Sequence, residues 1–600
     1  MMFQDFTVKS RPHDGPPRLA ALRAKMALEG LAGFIVPRAD AHQGEYVAEC
    51  DARLAWLTGF TGSAGFCIAL MDRAGVFVDG RYRLQVRAEV DTQVFTPVDW
   101  PETQPGPWLV VALPEGGRVG FDPWLHTPDE IARIEAALAG SGVELVPVDN
   151  LVDAIWAERP APPCAPARVH PAALAGEESA AKRARIGAGL AKAGAAALVL
   201  TLSDSICWLL NIRGNDIARN PLVQGFAVLH ADGHLTLFAD GDKFDAALRA
   251  HLGPEVTLRP QAAFAPGLRS LTGPVQVDPA SAPVAVLLEL AQSGTEVIRA
   301  TDPCLMAKAR KNAAEIAGME AAHHRDAVAM VEFLCWLDAE APKGTLTEID
   351  VVTRLEAFRA ASGCLMDISF DTICGAGPNA AIMHYRVSEA SNRAVRPGEA
   401  LLVDSGAQYP DGTTDITRTM AVGPVPEAIV DPYTRVLQGL IAISLARWPR
   451  GLAGRDLDPL ARAALWRAGL DFNHGTGHGV GAALSVHEGP VRLSKVSELP
   501  LEPGMILSNE PGYYRDGSFG IRLENLVLVV EAAPLGDRRD QLAMQTLTWV
   551  PFDRRLIDVG QLARHERDWV DAYHAEVLAR VGPDLSAPAR NWLEAACAPL

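Results

Sequence analysis

The stretch LLVDSGAQYPDGTTDITRTM, residues 401–420, decides the fold of the C-terminal half of this chain. Pro410-Asp411-Gly412 reads as a tight turn between two apolar, β-branched runs. Residues 400–408 and 413–422 are therefore expected to be antiparallel strands, with Asp404 and Asp415 nearly opposite each other. Cross-strand neighbours lie about 4.5–5.5 Å apart at Cβ, close enough for both carboxylates to reach one ligand. The device recurs in ILSNEPGYYRDGSFGIRLENLVLVV, residues 506–530. Residues 504–510 and 519–530 read as strands joined by a loop with Arg515-Asp516-Gly517, and Glu510 and Glu524 fall at comparable distances on either side. Between the two acidic hairpins lies HGTGHGVG, residues 474–481, whose small residues let the backbone bring His478 close.

Singly, each acid has an ordinary reading as a turn or surface residue, and a glycine-flanked histidine reads as a loop. Jointly they point elsewhere. Asp404, Asp415, His478, Glu510 and Glu524 are a suitable donor set for two divalent metals, with carboxylates free to bridge. Two metals about 3.5–4 Å apart hold a hydroxide, polarise a carbonyl and steady a tetrahedral intermediate, which predicts a hydrolase. An oxygen-rich set with one imidazole suits Mn, with cobalt and zinc as alternatives.

Three more histidines stand in chemical-looking contexts: His384 in MHYR, His474 in NHGTGHG and His487 in SVHEGP. A near-neutral imidazole donates to a carbonyl oxygen or shuttles a proton, although each alone reads equally well as structural. His323-His324 lies on an expected helix, residues 312–340, without acidic partners at ligand spacing, and reads as solvated surface. Ligating carboxylates need orienting hydrogen bonds. Tyr514 and Arg522 are candidates for that task, since Arg522 stands two residues before Glu524 on a strand and so faces the same way.

Composition sets the outer bounds. Six hundred residues exceed one core, and about two to four domains are expected. A net charge of −18 argues against nucleic acid or an anionic membrane as partner. Nine cysteines, an odd number without CxxC spacing, read as reduced thiols of a cytoplasmic protein. The polar N-terminus MMFQDFTVKS has no signal core, and no apolar run approaches the about 18 residues of a membrane span.

The proline-dense run 160–166 closes a first domain, 1–160, and a less sharp break near Asp302-Pro303 separates 161–303 from 304–600. The first two domains resemble each other. GFIVPRAD (33–40) is matched by ALVLTLSD (197–204), Trp56-Leu57 by Trp208-Leu209, and Phe77-Val78-Asp79-Gly80 by Phe238-Ala239-Asp240-Gly241. Each reads as an α/β module with a helix, a buried strand, a Trp-containing turn and a hairpin ending in Asp-Gly. The third domain, with all five ligands, alternates helices and antiparallel hairpins and reads as α+β.

The runs around the five ligands, in this order, resemble the metal site of the pita-bread metallopeptidases, which include methionine aminopeptidase, prolidase and aminopeptidase P. Arg522 resembles the proline-directed members. LAWLTGFTGSAG (54–65), VDGRYRLQ (78–85), WLLNIRGNDIARNP (208–221), GPNAAIMHYR (377–386) and LTWVPFDRRLIDVGQL (547–562) are similar to the long, three-domain cytosolic form of aminopeptidase P. The resemblance implies a pita-bread catalytic domain behind two creatinase N-terminal-like α/β domains. It implies a homodimer with two metals per subunit, Mn above all. It also implies release of the residue preceding a proline in position two, by attack of a metal-bridging hydroxide while one metal binds the free α-amine. His384, His474 and His487 would line the substrate cleft: His487 on the carbonyl as it becomes an oxyanion, His384 near the scissile bond, His474 by the proline pocket. Tyr514 and Arg522 would form a network with Asp404, and Glu510 would carry a proton to the leaving nitrogen. Prolidase shares the ligands and is the alternative, ahead of a non-catalytic scaffold and a metal-free creatinase-like hydrolase. One departure is Cys374 in FDTICGAG, where a small residue such as serine is expected, and a thiol beside the cleft would make activity sensitive to oxidation.

Overall fold

The computed structural model describes residues 2–536 and 538–600 of the chain. They divide into two compact units: residues 9–305, and residues 306–600 together with the N-terminal residues up to Val8.

The first unit is built from two six-stranded sheets. One contains Gly33–Pro37, Phe66–Leu70, Ala74–Val78, Thr96–Asp99, Gly117–Phe121 and Val143–Pro147. The other contains Ala197–Leu200, Phe226–His230, Leu235–Phe238, Val256–Arg259, Val275–Val277 and Val297–Arg299. Numbered in chain order, both run 4-3-2-1-5-6. In both, strand 1 is antiparallel to strand 2 and parallel to strand 5, 2 is antiparallel to 3, and the pairs 3–4 and 5–6 are parallel. Identical order and orientation at every pairing make these two copies of one α/β module. The matched tryptophans sit in helices between strands 1 and 2, Arg53–Thr58 and Ser203–Leu210, where the sequence suggested turns. The proline-rich run 160–166 carries neither helix nor strand.

In the second unit, the helix Ala313–Glu340 starts at a capping box, with Asn312 accepting from the Ala314 and Glu315 amides and Glu315 returning to the Asn312 amide. Its apolar face, including Met330, Val331 and Leu334, packs in one core with Leu401 and Val403. Those two belong to a three-stranded sheet, Ile373–Ala376, Ala400–Ser405 and Ile416–Ala421 in spatial order. The helices Glu427–Ser444 and Gly454–Trp466, with the strand Arg447–Pro449 between them, accompany a six-stranded sheet ordered Arg447–Pro449, Gln541–Thr546, Asn525–Ala532, Ile506–Asn509, Gly477–Gly479 and Glu488–Leu493. Two helix-plus-antiparallel-sheet layers thus hold the acidic hairpins, one on each sheet. No helix among the described residues is long and apolar enough to cross a membrane.

The C-terminal residues are tied to the first acidic hairpin by one buried guanidinium. Arg418, 1 % exposed, donates to the carbonyls of Thr417 (2.9 Å), Val550 (2.7 Å), Pro551 (3.2 Å) and Glu524, and reaches the Tyr573 hydroxyl at 3.1 Å. Replacing it by methionine keeps much of the bulk but takes the guanidinium away from the Pro551 and Glu524 carbonyls, while Thr417 O keeps the Glu524 amide and Val550 O keeps the Tyr573 hydroxyl. A carbonyl that loses its donor in the interior costs about 1–3 kcal/mol, so Arg418→Met is expected to destabilise the unit by at least about 2 kcal/mol. Denaturant unfolding checks this, and a loss below about 1 kcal/mol would mean that the C-terminal segment is held elsewhere.

Candidate metal centre

The first hairpin does not have the register expected from the sequence. Asp404 lies opposite Thr417 and Ser405 opposite Ile416, so Asp415 is diagonal to Asp404 rather than facing it. The cause is Gly406, where a side chain has no room: a Cβ would lie 2.0 Å from the Thr414 carbonyl oxygen. The strand breaks there, and the Gln408–Thr413 bridge, with Thr414 N donating to Ala407 O (2.9 Å) and Tyr409 N to Gly412 O (2.8 Å), carries the pairing on to the turn. Because side chains alternate, Asp404, Thr417 and Asp415 still share one face.

The second hairpin is also subdivided. The strand Ile506–Asn509 pairs with Asn525–Ala532, ending at Asn509 opposite Asn525. Glu510 and Glu524 are the next residues outward on each side. The intervening loop is itself a small hairpin, Gly512–Arg515 with Phe519–Arg522, so residues 519–530 are two strands and not one. The break between them aims Glu524 at the first sheet, where its amide donates to Thr417 O at 3.1 Å.

The glycines of HGTGHG permit the third approach. A Cβ on Gly477 would lie 1.8 Å from Ser508 O, and one on Gly479 would lie 2.3 Å from Glu488 O. His478 therefore sits in a strand squeezed between two others. Its Nδ1 donates to Gly479 O at 3.0 Å, which turns Nε2 toward Asp415 Oδ2 (3.5 Å) and Glu510 Oε1 (3.4 Å). Asp415, His478 and Glu524 each offer a ligand atom within 4.8 Å of one another.

Electrostatics mark this as a cation site. Burial pushes the Asp404 carboxyl up to about 7, against the pull of Arg522 and with the charges of Asp415 and Glu510 adding to the rise. Burial also raises Glu510, and raises Glu524 well above the carboxylate range, with the neighbouring acids reinforcing the latter. For His478 burial opposes the charged form, but the Asp415 hydrogen bond and the Glu510 charge outweigh it and push the ring up to about 9. Asp404 Oδ1, Asp415 Oδ1 and Glu524 Oε1 are buried without a hydrogen-bond donor among the described residues. Buried anionic oxygens are costly unless paired or on a metal. The donor set therefore fits hard divalent cations.

Tyr514, Arg522 and His474 join Asp404 in one chain of hydrogen bonds. Arg522 donates to Asp404 Oδ2 at 2.5 Å, to the Tyr514 hydroxyl at 2.7 Å and to Thr417 Oγ1 at 3.3 Å. The Tyr514 hydroxyl meets His474 Nε2 at 2.9 Å. The His487 ring lies edge-on to His478, centroids 4.2 Å apart. His384 is half-buried, and the preceding carbonyl, Met383 O, accepts from Arg522 Nη1 at 3.3 Å.

Two residues missed in the sequence hold these groups. Thr417 Oγ1 donates to Glu524 Oε2 at 2.7 Å, and Ser508 Oγ accepts from His478 N (2.9 Å) and donates to Glu510 Oε1 (3.0 Å). Each stands two residues from an acid on the same strand face, and that spacing was the available signal. Two readings are corrected. Cys374 is fully buried opposite Val403, on the face away from Asp404, and burial raises its thiol pKa, so it is not a reactive thiol beside the cleft. His323 is not solvated: it is 3 % exposed and bonds Met319 O at 2.7 Å, while His324 is exposed and pairs with Asp584.

A buried cluster of carboxylates and one imidazole, set between two acidic hairpins of an α+β unit, defines a pita-bread metallopeptidase centre. Residues 317–531 match metallopeptidase family M24 and residues 540–600 the C-terminal region of peptidase M24. Residues 18–155 and 158–315 each match the Creatinase/Prolidase N-terminal domain. The chain is 39% identical to "Aminopeptidase P2" of Arabidopsis thaliana, over 94% of this chain and 85% of that protein. It is 37% identical to "Probable Xaa-Pro aminopeptidase P" of Talaromyces stipitatus, over 99% and 94% of the two. Among solved structures, an X-prolyl aminopeptidase from Caenorhabditis elegans, described as a cytosolic enzyme with a di-nuclear active site, superposes with a TM-score of 0.92 at 34% identity, over 97% of this chain and 99% of that one. The chain belongs to the aminopeptidase P family of M24 metallopeptidases.

Proposed function

We propose that this chain is an Xaa-Pro aminopeptidase that removes the N-terminal residue from peptides with proline second. The observation that carries this reading is the set of donorless buried carboxylate oxygens around His478, in a chain whose whole length parallels aminopeptidase P. Asp404, Asp415, His478, Glu510 and Glu524 would hold two divalent cations, Mn2+ by the chemistry of the donor set, with Co2+ or Zn2+ as alternatives. Such cations supply Lewis acidity and a nucleophile at neutral pH.

The remaining roles belong to side chains. His487, edge-on to His478, donates to the scissile carbonyl oxygen as charge develops on it. His384 contacts the substrate beside the scissile bond, and His474 lines the proline pocket, its ring fixed by Tyr514. Glu510, whose carboxyl burial raises, carries the proton to the leaving prolyl nitrogen. Arg522 and Tyr514 hold Asp404 in place. Proline makes a tertiary amide without an N–H, so peptidases that grip that N–H leave such bonds to a specialist.

The same reading divides the chain into domains 1–160, 161–303 and 304–600, and places it in the cytoplasm as a homodimer acting on peptides, without nucleic-acid or membrane partners. The test is hydrolysis of Arg-Pro-Pro by chelator-stripped protein, with and without Mn2+, beside Ala-Pro and Arg-Ala-Ala. Mn-dependent release of arginine from Arg-Pro-Pro alone is expected. Turnover of the dipeptide alone would make the chain a prolidase, and no turnover with any metal would leave it a scaffold.

A further inference from the structure

The segment between Ala376 and Arg393 carries His384 and is irregular apart from a short 3-10 turn, Gly377–Ala381. An irregular loop does not by itself hold an imidazole to catalytic precision. Its two feet meet at one carboxylate. Glu348, 0 % exposed, is the first residue of the helix Glu348–Ala360. Its Oε1 accepts from the Ala376 amide at 2.7 Å, and its Oε2 accepts from the Arg393 amide at 3.0 Å. Asn379 Nδ2 donates to both oxygens at 3.0 Å, and the Tyr385 hydroxyl lies 2.9 Å from Oε2. The helix start grips the same foot, Glu348 N donating to Arg393 O (3.0 Å) and Ile349 N to Asn392 Oδ1 (3.1 Å).

The far side of the loop is held as well. Met383 O accepts from Arg522, and Gly520 is bare because a Cβ there would lie 1.8 Å from Ala380 O. The loop is thus clamped between Glu348 and the hairpin that carries Arg522, with His384 next to the Met383 contact. We propose that Glu348 is a positioning residue for His384: its carboxylate closes the neck of the loop and sets where the imidazole stands. The proposal rests on the role given to His384 above.

An ionised acid, not an amide, is what this neck requires. All the groups around the carboxylate can donate, and two are backbone amides that can do nothing else. Glutamine would set its NH2 against the Ala376 amide in one orientation and against the Arg393 amide in the other. Glu348→Gln therefore loosens one foot of the loop while nearly preserving shape and packing.

The experiment is a double-mutant cycle on the full-length, Mn-loaded protein, with kcat, KM and metal content measured for Glu348→Gln, His384→Ala and the pair, using Arg-Pro-Pro. Displacing a substrate-contacting group by about 1 Å costs up to about 10²-fold. Glu348→Gln is expected to lower kcat at least about tenfold with metal content equal to the parent's. In the His384→Ala background it is expected to cost less than about twofold more, because coupled residues are not additive. Equal losses in both backgrounds, or no loss from Glu348→Gln, would overturn the positioning role alone. Parent-like activity of His384→Ala would overturn the reading of His384, and the proposal with it. If Glu348→Gln does not fold, Tyr385→Phe with His384→Ala completes the same cycle with the same deciding outcomes.

Discussion

Asp415→Asn is expected to lower kcat/KM for Arg-Pro-Pro at least about 10³-fold and to reduce bound Mn2+. The two oxygens of Asp415 do different things. Oδ2 faces His478 Nε2 at 3.5 Å, and Oδ1 is buried with no donor among the described residues. A carboxylate oxygen left bare in the interior is costly unless a cation meets it. Asparagine keeps the shape but removes one negative charge and replaces one of the two anionic oxygens by an NH2. Loss of a metal's charge stabilisation is worth several kcal/mol, and each 1.36 kcal/mol is a factor of ten. The measurement pairs steady-state kinetics with metal analysis of dialysed protein. Near-parent activity together with full metal content would sink the assignment of Asp415 as a ligand.

Stripping the metal is expected to lower the melting temperature of the metal-binding unit by about 4 °C. The comparison is with protein in Mn2+ at about a hundred times its dissociation constant, where linkage contributes about 2.7 kcal/mol. Four acids crowd this site, and burial and mutual repulsion raise Asp404 and Glu524 from their usual range. Arg522 and His478 are the cations that face them. The same crowding gives a prediction of opposite sign. Asp415→Asn removes one of the repelling charges, so its metal-free form should melt above the metal-free parent although it is the inactive protein. Calorimetry of both proteins, with and without chelator, checks the pair of signs. A metal-free parent as stable as the loaded one would mean that the acids are not strained against one another and that no cation is needed to relieve them.

Much of this site is written locally in the sequence. Alternation along a strand places Thr417 and Asp415 on one face, and an even register across the turn is enough to bring Asp404 to the same side. Glycine at 477 and 479 announces a backbone that must come close to something. The two acidic hairpins around Asp-Gly turns predict antiparallel pairing from turn chemistry alone. The duplicated modules were legible for the same reason, since GFIVPRAD and ALVLTLSD are buried strands at equivalent places in one topology. What the local pattern misjudged depended on remote atoms. The break at Gly406 comes from the Thr414 carbonyl against it, and the burial of His323 and Cys374 comes from what packs over their elements.

The sequence by itself determined the class of the protein and its donor set: which acids and which histidine, on which turns, in a chain with two α/β modules ahead of them. Periodicity, turn residues and composition act within a few residues, so they survive without coordinates. Only the tertiary structure decided how those groups meet. It set Asp415 diagonal to Asp404, split the second hairpin so that Glu524 turns toward Thr417, ran the hydrogen bonds from Asp404 through Arg522 and Tyr514 to His474, and closed the His384 loop on Glu348. Each of these joins residues far apart in the chain, and a contact between distant residues is fixed by packing and by the cost of leaving buried polar groups unpaired, neither of which a local pattern contains.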